Sequence, residues 1–109
     1  MDDDEPGLDD DGLYHLATEV EWADHETAGT IRPPSLDAEG FVHCSWGRQV
    51  GGTVDRHFAG VTGLLALRLD PGALGAPLVE EDTAGAGQPF PHVYGAIPTS
   101  AVVEVVPVS

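Results

Sequence analysis

The sequence predicts an α+β domain with two helices in its N-terminal half and a sheet completed late. Three observations carry this. Thr18 and Glu21 form a capping-box signal that opens a helix early in the chain. The run Leu64 to Leu69 is apolar enough for a central strand. Val102 to Val106 is a β-branched run that supplies the last one. Between them the pattern alternates strand and helix, then turns mostly to strands.

Residues 1 to 12 hold Asp2, Asp3, Asp4, Glu5, Asp9, Asp10 and Asp11 without an apolar run, so a disordered acidic tail is expected there. A single domain is expected over 13 to 109, opening with the strand Leu13-Tyr14-His15-Leu16. Thr18 then caps a helix from Glu19 to Ala28, and Gly29 ends it. Pro33 and Pro34 remove backbone donors, which predicts a surface loop over Ile31 to Leu36.

Gly40 to Ser45 is expected to be a short strand. Its alternation sets Phe41, His43 and Ser45 on one face, with Val42 and Cys44 toward the core. Ser45 is also placed to cap a second helix reaching about Phe58, with Val50, Val54 and Phe58 along one side. Gly47, Gly51 and Gly52 each weaken that helix by about 1 kcal/mol relative to Ala. After the strand Leu64 to Leu69, Pro71 begins a single helical turn that stops at Gly75. Leu78 to Glu81 is a further short strand, Thr83 to Gln88 a flexible loop, and Phe90 to Gly95 an aromatic run. A turn at Ile97-Pro98 leads into the final strand.

A chain of 109 residues with one cysteine holds one core, no internal disulfide and no cysteine-based zinc site. The default setting is reducing and cytoplasmic. No segment approaches the roughly 20 apolar residues of a membrane span. The net charge is -15, and the only Lys or Arg residues are Arg32, Arg48, Arg56 and Arg68. Free nucleic acid is therefore disfavoured as a partner, since phosphate neutralisation needs clustered cations. A few arginines still suffice to hold one phosphate-bearing small molecule.

His15, His43 and His92 each lie in a short aromatic or apolar run. A lone histidine in such a run is usually structural. Three of them, accompanied by Tyr14, Ser45 and Tyr94, point to a shared polar cleft, while His25 and His57 are expected to face solvent. No His-Glu-x-x-His, Gly-x-Ser-x-Gly or phosphate-binding glycine loop is present. No metal is expected, and a three-histidine metal-dependent hydrolase stays only as an alternative. Cys44 is assigned to the core rather than to a nucleophile. Glu80, Glu81 and Asp82 suggest a solvated edge, from which Glu81, in strand parity with Val79, can reach the cleft.

Three separated motifs occur in order: Leu13-Tyr14-His15-Leu16, Pro34-Ser35-Leu36 followed by Glu39 to Ser45, and Phe90-Pro91-His92-Val93-Tyr94-Gly95. With Ile97-Pro98 and the terminal valines, they resemble the bacterial family called domain of unknown function 952 over about residues 13 to 107. That resemblance implies a compact, split β-sheet of the ADP-ribosyltransferase-like fold group. Tyr14-His15 looks like the Tyr-His that opens many such enzymes, where the histidine bonds the adenosine-side ribose of NAD. Val42-His43-Cys44-Ser45 looks like the His-Val-His-Leu-Ser element of RNA 2'-phosphotransferases. The activating glutamate of the group has no aligned counterpart, which leaves His92 or Glu81 to act.

The roles implied are catalytic for His43, His92 and Glu81, and ligand-binding for Tyr14, His15, Arg32, Ser35, Ser45 and Tyr94. The expected function is recognition of NAD or another ribose-phosphate metabolite, with ADP-ribosyl or phosphoryl transfer as the reaction type. A non-catalytic module that binds a metabolite or peptide is the alternative.

Overall fold

Side-chain alternation in the first strand sets the layers of the computed structural model, which describes residues 8–109. In chain order the elements are β1 (Leu13–Thr18), α1 (Glu19–Ala28), β2 (Thr30–Ile31), α2 (Pro34–Glu39), β3 (Val42–His43), β4 (Ser45–Trp46) and α3 (Gly47–His57). There follow β5 (Leu64–Leu69), β6 (Leu78–Glu81), β7 (Phe90–Val93), β8 (Ile97–Pro98) and β9 (Val102–Pro107). Leu13 and Ala17 enter one apolar cluster, Tyr14 and Leu16 the other. That is the period of two that a strand imposes.

The central sheet has the strand order β4-β1-β5-β9, and its pairings are antiparallel. Val50 of α3, supported by Val54 and Phe58, covers the face that carries Tyr14, Leu16, Leu64 and Ala66. Val42 and Val93, from the sheet ordered β3-β7-β6, pack with Leu13, Ala17, Leu65 and Leu67 in the other cluster. β2 and β8 pair separately through Ile31 and Ile97, both fully buried. The molecule is α+β, as expected. Its strands form antiparallel ladders in three sheets.

The first helix follows its capping signal. Thr18 Oγ1 accepts from Glu21 N–H at 3.2 Å, and Glu21 Oε1 accepts from Thr18 N–H at 2.8 Å. Gly29 ends the helix in the left-handed region at φ 78°, which costs glycine little.

Four expectations need correction. The proline segment is not all loop, because Pro34 is the first residue of α2, where its missing N–H would have had no helical partner. Three α-helices therefore stand where two were expected. The strand at Gly40 to Ser45 divides at Cys44, β3 joining β7 and β4 joining β1. Trp46, not Ser45, is the N-cap of α3, with its N–H held by Gln49 Oε1 at 3.0 Å.

The acidic tail is the fourth. Residues 1–7 lie outside the described residues, but residues 8–12 run against the domain. Leu8 packs against the cluster that contains Tyr14, Asp9 N–H donates to the Tyr14 hydroxyl at 2.9 Å, and Asp9 pairs with Arg68 at 2.9 Å. Gly47 N–H donates to Gly12 O at 2.9 Å. Among the described residues, no helix is long and apolar enough to cross a membrane.

The contact at Gly47 is close enough to test. A Cβ there would sit 1.8 Å from the carbonyl oxygen of Asp9. Gly47→Ala should destabilise the protein by about 1–3 kcal/mol, the usual range for overpacking. Urea denaturation measures this; an unchanged midpoint would mean that residues 8–12 move aside freely.

Candidate functional site

A cleft of about 740 Å³ opens among the three-stranded sheet, α1 and the end of α3. Register assembles its chemistry. His43 lies directly opposite His92 across β3 and β7, with ring centroids 5.3 Å apart in an edge arrangement. Glu81 lies opposite Phe90, which makes His92 its diagonal neighbour on the same face, within reach of a long side chain. His92 Nδ1–H donates to Glu81 Oε1 at 2.9 Å, and the Tyr94 hydroxyl donates to the same oxygen. Because a carboxylate only accepts, the neutral ring keeps its lone pair on Nε2.

The surroundings hold that ring still. Phe41 stacks on His92 with centroids 3.9 Å apart and planes 12° apart, and His92 is 3% exposed. Hydrogen bonds from Tyr94 and then His92 hold the Glu81 carboxyl below the usual carboxylate range. Glu81 in turn pushes the Tyr94 hydroxyl upward.

His15 reaches the same cleft from the central sheet. Its Nδ1–H donates to the carbonyl of His43 at 2.7 Å, fixing the tautomer and leaving the lone pair on Nε2. Burial lowers its pKa, outweighing the opposing effect of that hydrogen bond. His15 is therefore a neutral acceptor at neutral pH. His43 is exposed, with Nε2 3.2 Å from Glu39 Oε2.

The remaining expected residues divide. Ser45 lines the cleft, its Oγ 3.2 Å from Thr53 Oγ1. Ser35 also lines it, but its hydroxyl donates to Phe41 O at 3.1 Å and so ties α2 to the next strand. Arg32 lines the rim while pairing with Asp37 at 3.0 Å. Tyr94 bounds the site only through Glu81. Tyr14 does not belong to it: adjacent residues of β1 face opposite ways, and Tyr14 is fully buried in the cluster under α3.

The cleft also takes residues that the sequence did not assign to it. Thr53, Arg56 and His57 come from α3 and His25 from α1, so every histidine of the chain lines one cavity. A signal existed for His25. Glu21, Asp24, His25 and Ala28 all line the cleft, and their spacing of i, i+3, i+4 and i+7 is one stripe of a helix. Arg56 and His57 needed the packing of α3 to be known.

Among the described residues, no group of three or more His, Cys, Asp or Glu is placed to hold a metal ion. Cys44 is 4% exposed, and burial pushes its thiol up to about 12. Its assignment to the core agrees with this.

The family model described as "Protein of unknown function (DUF952)" matches residues 16–105. The crystal structure of protein CC0527 from Caulobacter crescentus is similar at 28% identity and a TM-score of 0.79, over 90% of this chain and 86% of that one. The solution NMR structure of CC0527 gives 28% identity and a TM-score of 0.77, over 90% and 84%. Among curated proteins, none matches.

Two outcomes follow from the buried groups. Cys44 in the folded protein should resist a thiol reagent at neutral pH and react only on unfolding; rapid labelling of native protein would contradict its burial. His15 has a folded-state pKa below its ordinary 6.5, so the unfolded chain binds more protons in that window. Its contribution to stability is complete above about pH 6.5 and is lost as pH falls below it. Denaturation midpoints from pH 7 down to pH 5 should drop more steeply for the native protein than for His15→Gln.

Proposed function

The chain belongs to the DUF952 family of proteins of unknown function, and from that premise we propose that its cleft binds NAD or another ribose-phosphate compound and works as an ADP-ribosyl- or phosphoryl-transfer site. The observation that carries the reading is His92, whose Nδ1 is held by Glu81 while Nε2 keeps its lone pair. A base oriented in this way can take a proton from an incoming nucleophile. Tyr94 holds Glu81 in place and acts as a positioning residue rather than a ring platform.

The size of the cavity agrees with this, since small-molecule sites span about 300–1,000 Å³. His15 Nε2 and the Ser45 hydroxyl supply an acceptor and a donor for ribose hydroxyls. The ADP-ribosyltransferase-like fold group belongs to the proposal, resting on the Tyr14-His15 and Val42-His43-Cys44-Ser45 motifs. Tyr14 acts there by building the core. A cytoplasmic location belongs to it too, from the lone buried thiol of Cys44.

One observation favours a non-catalytic binding module as the second reading. Both donors to Glu81 converge on Oε1, so one oxygen of the carboxylate that would activate a nicotinamide ribose is already engaged. Released nicotinamide after incubation with NAD separates transfer from simple binding.

Titration calorimetry with NAD, ADP-ribose and nicotinamide tests the site. Binding should appear for ADP-ribose, and His15→Ala should weaken it about tenfold, the loss expected for one good hydrogen bond. Glu81→Gln should cut turnover by about 100-fold or more, if turnover is found, with a smaller effect on binding. No heat from any of the three, with folded protein, would remove the proposal.

A further inference from the structure

The cleft's ionisable groups fall into two sets. His15, His43 and His92 are each held, by the His43 carbonyl, by Glu39 and by Glu81. Arg56, His57 and His25 line the same cavity, yet among the described residues no hydrogen bond or ion pair ties any of them to a protein group. Among the described residues, three basic side chains of a strongly acidic chain are thus without protein partners in this cleft, on the walls formed by α1 and the end of α3.

We propose that Arg56, His57 and His25 form the phosphate-accepting end of this cleft, and that a phosphate-bearing ligand bound there draws a proton onto one of the two imidazoles. This deepens the reading of the cavity as a ribose-phosphate site and rests on it. The held histidines serve to move a proton and the untied basic groups to bind charge, with the rings of His15 and His25 as neighbours, their centroids 6.4 Å apart.

Formal charge explains the proton. Lining the same cleft are Glu21 and Asp24 from α1 and Asp82 after β6, against one unpaired guanidinium among the described residues, that of Arg56. Arg32 also lines it and is paired with Asp37. Glu39 and Glu81 are occupied by His43 and His92. With both imidazoles neutral, the count does not favour an anion. Asp82 is partly quenched, because its two oxygens accept from Ala86 N–H and Gly87 N–H at 2.7 and 2.9 Å. The C-terminal end of α3, where His57 is the last residue, favours a cation there. Histidine changes charge nearest neutrality, so a proton taken up with the ligand supplies the missing positive charge.

Imidazole resonances followed by NMR through about pH 5 to 8 test this, with sulfate against chloride at equal ionic strength and with ADP-ribose. Neither sulfate nor the ADP-ribose pyrophosphate titrates in that range, so any proton taken up is the protein's. Titration of His25 or His57 should move to higher pH with both anions, and Arg56→Gln should shrink the move. ADP-ribose affinity should fall by up to tenfold per pH unit above neutrality, and His57→Gln with His25→Gln should flatten that dependence. Superimposed titration curves with ADP-ribose bound overturn the subsite and leave the ribose-phosphate reading standing. A shift with sulfate, together with no binding of ADP-ribose, supports the subsite and counts against that reading.

Discussion

The hydrogen bond from His15 Nδ1 to the carbonyl of His43, 2.7 Å long, closes the seam between two sheets. β3 ends at His43 and β4 begins at Ser45, so this carbonyl stands where the chain leaves one sheet for another. A buried carbonyl left without a donor costs about 1–3 kcal/mol. The imidazole supplies that donor and loses its choice of tautomer in doing so. One bond therefore serves the core and the cleft together, because the nitrogen it leaves over is an acceptor on the cleft wall.

His92 repeats the arrangement with a different partner. Its Nδ1–H goes to a carboxylate, where that of His15 goes to a neutral carbonyl. A proton arriving on His92 would form an ion pair with Glu81, already in contact; one arriving on buried His15 would meet only a dipole at its hydrogen-bond partner. Two rings within one cavity are thus suited to different tasks, the first to moving a proton and the second to accepting a hydrogen bond. Phe41 and the direct pairing of His43 with His92 keep the geometry from relaxing.

Local chemistry was legible in the sequence wherever one side chain decides one structure. Thr18 with Glu21 gave the first helix its boundaries, and the apolar run at Leu64 gave a central strand. The proline pair misled because the same residue that forbids a helix interior is welcome at its first position. Period-two reasoning assigned Cys44 to the core, where it is buried although it also borders the cleft, and applied to Tyr14 beside His15 it would have removed Tyr14 from the site. It also brought Glu81 to the correct face. What it could not supply was the break at Cys44, since a short run of six residues does not say that its halves join different sheets. Leu8 to Gly12 looked like tail because Asp9, Asp10 and Asp11 are charged; their backbone and the Asp9–Arg68 pair hold them on the domain nonetheless.

The placement of cations accounts for how an acidic chain can gather histidine and arginine side chains in one cleft. Arg48 and Arg68 point to Asp11 and Asp9, so half of the permanent positive charge is spent on the segment before β1. Arg32, Arg56 and all five histidines line the cavity. The net charge of -15 sets a repulsive field for anions at a distance, but salt screens that field beyond about 8–10 Å. Inside the cleft the nearest groups decide, and among them are all five histidines, whose charge depends on what binds beside them. Family likeness alone does not yield a reaction. This concentration of conditional charge belongs to the chain's own residues, and it is what ties the ligand's charge to the cleft's protonation.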